Sequence, residues 1–215
     1  MKTIGILGTG IVGRTVGKKL AQLGYNVTLG SRSADNEKAK QWIADVGGTA
    51  KSGTFAEAAR HADAVFVCTK GDGTVDAVKA AGDLSGKLVI DLTNPLDSSK
   101  GMPPPLISQY SNTHSLGEAV QAAVPNARVV KTLNIVNCEV MVDPKKSGGD
   151  PTMLLCGDDD GAKAEATNLL KEFGWNDVLD LGDITGARSM EAYVTLWVRV
   201  YMTTGNGYNA MKSIR

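Results

Sequence analysis

The sequence predicts an α/β fold, a doubly wound parallel sheet with a small C-terminal helical extension, and three observations carry that reading. Short β-branched runs alternate with helical stretches as far as about residue 181. A glycine-rich turn sits between the first run and the first helix. The 215 residues are 42% hydrophobic and 21% charged, which supports one sizeable core and excludes a disordered chain. The expected division is a main domain over residues 1–183 and a helical segment over 184–215.

Residues 3–7 and 26–29 read as the first two strands, and the helix between them, over 11–23, stops at Gly24, a residue suited to a left-handed cap. A polar helix over 36–46 follows and ends at Gly47 and Gly48. A short strand and helix then lead to residues 64–68, an apolar run typical of a strand buried on both faces. Residues 88–92 form the next strand. Pro95 and the run Met102, Pro103, Pro104, Pro105 mark a loop, because consecutive prolines lack donors and favour extended backbone; this loop is expected over the strand ends.

Ser115 and Glu118 have capping-box spacing and open a helix that leads into a strand over 127–133. A strand over 152–156, a helix over 162–173 and a strand over 178–181 continue the alternation. From Ala187 the pattern changes: Met190, Tyr193, Val194, Trp197 and Tyr201 recur at helical spacing, while Leu196, Val198, Val200 and Met202 fill the other faces. A helix apolar all round is expected to be buried all round. One subunit of this size seldom surrounds its own terminal helix, so the segment is expected at the contact of a homodimer.

Charge excludes some partners. Lysine and arginine together number 23, as do aspartate and glutamate, so no net basic field exists to hold nucleic acid. Cys68, Cys138 and Cys156 are odd in number and form no C-x-x-C pair, which reads as reduced thiols in a cytoplasmic protein. The N-terminal apolar run is broken too early by glycines and Arg14 to be a signal peptide, and no stretch has the length of a membrane span. Membrane insertion is not expected.

Gly8, Thr9, Gly10, Ile11, Val12 and Gly13 fit G-x-G-x-x-G directly after a strand and at the opening of a helix. In that context the glycines make a tight turn, let a pyrophosphate approach the backbone, and allow the helix to pack closely on the strand. The helix start then holds the anion through free N–H groups and the dipole. An NAD-binding turn would carry an acidic residue near the end of the second strand, but here Gly30, Ser31, Arg32 and Ser33 stand there, with no carboxylate before Asp35. A hydroxyl and a guanidinium suit a 2′-phosphate, so NADP(H) is the expected cofactor, with Thr9 as a further hydroxyl.

These residues, with Asp91-Leu92-Thr93-Asn94-Pro95, Val129-Val130-Lys131-Thr132-Leu133-Asn134, Cys156-Gly157-Asp158-Asp159-Asp160 and Arg188-Ser189-Met190-Glu191, resemble the coenzyme F420-dependent NADP oxidoreductases along the whole chain. The domain is also similar to the cytosolic part of membrane metalloreductases. The resemblance implies a Rossmann-like NADP-binding domain, usually dimeric. It further implies hydride transfer between nicotinamide and a deazaflavin (coenzyme F420) or flavin stacked on it, a reaction that requires no protein base or metal. Accordingly no catalytic residue is assigned; Thr69, Lys70, Asn94, Pro95, Asn134 and Val136 are expected to border the nicotinamide and its acceptor, a small redox molecule. The family pattern places a histidine where this chain has Asn134, and an amide lacks the imidazole's charge and stacking surface. The acceptor therefore stays open among deazaflavin, flavin, quinone and iron chelate.

Two other readings compete with this one. A small hydroxy-acid or imine dehydrogenase would carry a catalytic lysine on a long helix, and the stretch from Arg188 to Tyr201 has none. A non-enzymatic NADP(H) sensor fits the same cofactor motif. His61 and His114 lack ligand spacing, so no metal site is expected. Asp158, Asp159 and Asp160 precede a helix and read as capping acids. Lys131 lies near the cleft, with its ammonium expected to snorkel to solvent.

Overall fold

The computed structural model describes residues 1–215. Its strands are β1 (Thr3–Leu7), β2 (Asn26–Ser31), β3 (Lys51–Thr54), β4 (Ala64–Val67), β5 (Leu88–Asp91), β6 (Arg128–Thr132), β7 (Thr152–Cys156) and β8 (Asp177–Asp180). They form one sheet in the order β3-β2-β1-β4-β5-β6-β7-β8. The first six are mutually parallel. Strand order reverses at β1, which pairs with β2 on one side and β4 on the other, so a crevice opens beyond the C-terminal ends of β1 and β4.

The far edge departs from the parallel expectation: β7 runs antiparallel to β6, and β8 is parallel to β7. A parallel return requires a crossover that runs back along the sheet. Between β6 and β7 the chain has only α6 (Cys138–Val142) and a 3₁₀ turn, Pro144–Ser147. A five-residue helix rises about 7.5 Å, against about 16 Å for a strand of five residues. The chain therefore re-enters the sheet from the end at which it left.

The remaining helices are α1 (Ile11–Gln22), α2 (Glu37–Val46), α3 (Phe55–Arg60), α4 (Thr74–Ala80), α5 (Leu116–Ala123), α7 (Asp160–Phe173) and α8 (Ala187–Thr204). Strand alternation divides the apolar side chains between two layers. Ile4, Ile6, Phe66, Leu88 and Ile90 join one core with Val16, Leu20 and Trp42, while Leu7, Val65, Val67 and Val89 join the other with Phe55, Val78 and Val120. Asn36, Thr54, Ser115 and Asp159 each cap a helix by accepting a backbone N–H, and at Thr54 both halves of a capping box are present. For Asp159 this is the capping role its sequence context predicts.

The terminal helix is not buried all round. Ala187, Met190, Glu191, Val194 and Val198 face inward, whereas Leu196, Tyr201 and Met202 are 56%, 41% and 45% exposed. Tyr193 and Trp197 are half-buried, and the Trp197 indole donates to the Asn209 carbonyl at 2.9 Å. The chain after α8 thus folds back onto Trp197, while Leu196 on the opposite face and Tyr201 and Met202 in the last turn stay exposed. The proline-rich loop returns to the end of β5, where Ile107 N donates to the Pro95 carbonyl at 2.7 Å, and Pro103, Pro104 and Pro105 share a hollow with Thr195, Leu196 and Arg199 of α8. No helix is long and apolar enough to cross a membrane.

Candidate functional site

Three glycines shape the turn from β1 into α1. Gly8 has φ of +128°, and a Cβ there would stand 2.6 Å from the Cys68 carbonyl oxygen. A Cβ on Gly13 would lie 2.1 Å from the Gly8 carbonyl oxygen, so its absence lets α1 press onto the strand. Gly10 differs, because a Cβ there would meet nothing within 4 Å. It is the N-cap of α1, and no side chain caps the first turn. The helix start therefore presents bare backbone to open space, as an anion site requires.

That space is a cavity of about 850 Å³ at the strand reversal. Gly8, Thr9, Gly10, Ser31, Arg32, Thr69 and Lys70 all line it, so seven of the sequence-predicted residues meet in one place. Ile11 is 65% exposed beside it, Val12 is half-buried, and Gly13 lies beneath the turn. Ser31 is buried, and its Oγ donates to the Ser33 carbonyl while accepting from Ser33 N at 3.3 Å, which shapes the loop after β2. Arg32 is exposed and makes no hydrogen bond or ion pair within the chain. Lys38, in the first turn of α2, joins the same cavity and is likewise unpaired. Sequence reasoning missed it, although a lysine just after the Asn36 cap was a legible signal. The nearby carboxylate is neutralised: Asp35 pairs with Lys40, whose ammonium holds that carboxyl below its ordinary range. The wall formed by Phe55, Ala77 and Ala80 is apolar, with Asp72 and Asp76 at its edge.

Asn94, Pro95, Asn134 and Val136 do not line this cavity. They gather beside it, beyond β5 and β6. Asn94 Nδ2 donates to the Asn134 carbonyl at 2.7 Å, and Asn134 Nδ2 donates to Asn94 Oδ1 at 2.9 Å and to the Met190 carbonyl at 3.2 Å. Asn134 is 1% exposed and Val136 is buried. The loop after β4 presses on the same turn, since a Cβ on Gly71 would lie 2.4 Å from the Asn94 carbonyl oxygen. Thr69 and Lys70 are in this way adjacent to Asn94 and Pro95, although only the former two line the cavity.

Lys131 corrects its sequence reading. Its side chain is 0% exposed and ion-paired with Asp91 at 2.9 Å and Glu191 at 2.8 Å. Burial disfavours the ammonium, but the two carboxylates outweigh it and raise its pKa above the ordinary lysine value. Burial also pushes the Cys68 thiol up, and the Cys156 thiol to about 12, which leaves both inert. Cys138 is half-buried. His61 is exposed at the end of α3, and His114 stands 3.7 Å from Glu118. No cluster of three His, Cys, Asp or Glu side chains assembles a metal-binding arrangement.

The model of a family described as NADP oxidoreductase, coenzyme F420-dependent, matches residues 3–95. The chain is 25% identical over 222 residues to the F420-dependent NADP reductase of Methanocaldococcus jannaschii, covering 96% of each chain. It is 25% identical over 190 residues to Metalloreductase STEAP3 of Rattus norvegicus, covering 88% of this chain but only 36% of that relative's length. Among solved structures, a candidate F420-dependent NADP reductase of Arthrobacter sp. FB24 is 42% identical and covers 100% of both chains with a TM-score of 0.93.

Proposed function

Because the chain belongs to the coenzyme F420-dependent NADP oxidoreductase family and is an NADP-dependent oxidoreductase of Rossmann-like fold, we propose that it transfers a hydride between the nicotinamide of NADP(H) and coenzyme F420. The observation that carries the reading is the cavity itself: open space before Gly10, an uncapped helix start, and two unpaired cations, Arg32 and Lys38, beyond β2. When bound, NADP(H) supplies the hydride chemistry at its nicotinamide ring, and a deazaflavin is a planar ring able to exchange that hydride.

The chain's own part is to bind, orient and exclude water. Gly8, Thr9, Gly10, Ile11, Val12 and Gly13 form the pyrophosphate turn, with N–H groups of the α1 start directed at the anion. Arg32 and Lys38 hold the 2′-phosphate, and Ser31 keeps their loop in shape. Thr69 and Lys70 carry the cofactor toward Asn94 and Pro95, where the rings meet, with Asn134 and Val136 behind them. Asn134 braces this turn through Asn94 and Met190, so the donors of its amide are occupied structurally. The exposed Leu196, Tyr201 and Met202 of α8 support a homodimer, and the three thiols support a reducing, cytoplasmic setting.

The test is anaerobic NADPH oxidation with F420, FMN, a quinone and a ferric chelate offered separately. F420 should be reduced with stoichiometric loss of NADPH. Turnover of flavin or ferric chelate alone would refute F420 as the acceptor, and failure to bind NADPH would refute the whole assignment.

A further inference from the structure

Lys131 sits where four elements converge. Its Nζ donates to Asp91 Oδ2 at 2.9 Å, to the Thr93 carbonyl at 2.6 Å and ion-pairs with Glu191 Oε1 at 2.8 Å, which uses the donors of an ammonium fully. The carboxylates are satisfied in turn. Asp91 Oδ1 accepts from Thr93 N at 2.9 Å and Thr93 Oγ1 at 2.6 Å, and Glu191 accepts the Leu116 and Gly117 N–H groups at the start of α5, both at 2.9 Å. Gly117 permits this approach, because a Cβ there would stand 2.8 Å from the Ala187 Cβ.

Stability does not account for such a cluster, since an apolar replacement of similar volume is often as stable as a buried ion network. Geometry does. The residues it fixes lead straight into Asn94 and Pro95, and Glu191 follows Met190, whose carbonyl accepts from Asn134. The ion cluster and the asparagine pair are thus two neighbouring braces between the ends of β5 and β6 and helix α8. The β6 end is also under constraint: Leu133 has φ of +64°, a left-handed conformation that a branched side chain adopts only where its surroundings over-determine it. Asn134 Oδ1 is buried without a partner, a second cost accepted at the same turn.

We propose that Lys131 is a positioning residue, which with Asp91 and Glu191 sets the turn of Thr93, Asn94 and Pro95 against the Asn134 turn and so fixes the approach of the two rings. This rests on the hydride transfer proposed above. Lys131 touches neither ring; it acts through the β5 turn. The phosphate cavity lies beyond its reach, since neither Lys131 nor its partners line it.

Lys131→Met and Glu191→Gln separate this role from a structural one. In Lys131→Met, amide exchange over residues 92–97 should quicken at least tenfold while residues 3–13 keep wild-type rates. The NADPH dissociation constant should stay within twofold, and kcat should fall ten- to hundredfold with KM for NADPH unchanged. Glu191→Gln keeps one oxygen to accept from Lys131 but turns its NH2 towards a backbone N–H of Leu116 or Gly117, and should lower kcat less than Lys131→Met does. If Lys131→Met does not fold, the double variant Lys131→Met/Glu191→Gln, which leaves the net charge unaltered, carries the same readouts. Unchanged exchange with turnover within twofold overturns the proposal, as does a parallel loss of melting temperature, NADPH affinity and kcat. Should the wild-type protein reduce no ring acceptor, the proposed reaction falls. Local exchange and the emission of bound NADPH still decide, without turnover, whether Lys131 holds this turn.

Discussion

Alanine in place of Gly10 separates cofactor binding from folding. Gly10 has φ of −69° and ψ of 179°, a conformation that alanine adopts without strain, and the added methyl meets nothing within 4 Å. With no native-state cost, the substitution acts on the unfolded chain and stabilises by about 0.4 to 1 kcal/mol. For a domain of this size that raises the melting temperature by about 1 to 4 °C. The methyl, however, occupies the space in front of the α1 start, where the proposed pyrophosphate would approach the backbone. Loss of one charge-assisted hydrogen bond costs about 1.5 to 3 kcal/mol, so the dissociation constant should rise roughly ten- to hundredfold. Because NADH carries the same pyrophosphate, both cofactors should weaken together. Gly13→Ala is the contrasting variant: its Cβ would lie 2.1 Å from a backbone oxygen, so overpacking of about 1 to 3 kcal/mol should lower the melting temperature as well. Differential scanning fluorimetry and titration of NADPH emission measure the two quantities on one sample. Wild-type NADPH affinity in Gly10→Ala would show that the pyrophosphate does not pass Gly10, and a lowered melting temperature would show that the space is not open.

Arg32→Ala should weaken NADPH roughly ten- to hundredfold and leave NADH nearly unchanged, with no loss of melting temperature, because Arg32 has no partner within the chain; equal losses for both cofactors would refute a 2′-phosphate contact. Glu118 is bonded by Arg188 and Ser115, and Arg188 above all holds its pKa at about 2. Its stabilising contribution is therefore complete above the ordinary value of 4.5 and fades as pH falls towards about 2. Glu118→Gln should lose about 1 kcal/mol at neutral pH, and thermal melts across that window should converge with wild type on acidification; a constant gap would refute the assignment. A thiol reagent should label Cys138 at least a hundredfold faster than Cys68 or Cys156 in the folded protein, and equal rates would contradict their burial. Sedimentation equilibrium should find a dimer that Leu196→Lys converts to monomer; a monomeric wild type would refute the role given to the exposed apolar residues of α8.

The strand and helix alternation and the three glycine positions were legible in the sequence because each depends on neighbours a few residues away. A period of two places Ile4 and Ile6 in one layer and Leu7 in the other, and the spacing of Gly8, Gly10 and Gly13 sets one turn. Ser31 and Arg32 were legible for the same reason, since they directly follow a strand whose position the pattern fixes. Long-range convergence decided the rest. The sequence near Lys131 gives no sign of burial, and a lysine goes to solvent unless carboxylates meet it inside. Asp91 lies on the adjacent strand and Glu191 on a helix that arrives only after β8, so their meeting depends on how the sheet and α8 close. The reciprocal bonds of Asn94 and Asn134 join residues 40 positions apart. The reversal of β7 likewise depends on how far α6 carries the chain, a length that composition does not record. Sequence by itself determined the glycine turn and the layers around it; the tertiary structure decided what braces the far side of the cavity, because buried charge is stable only where distant partners satisfy it together.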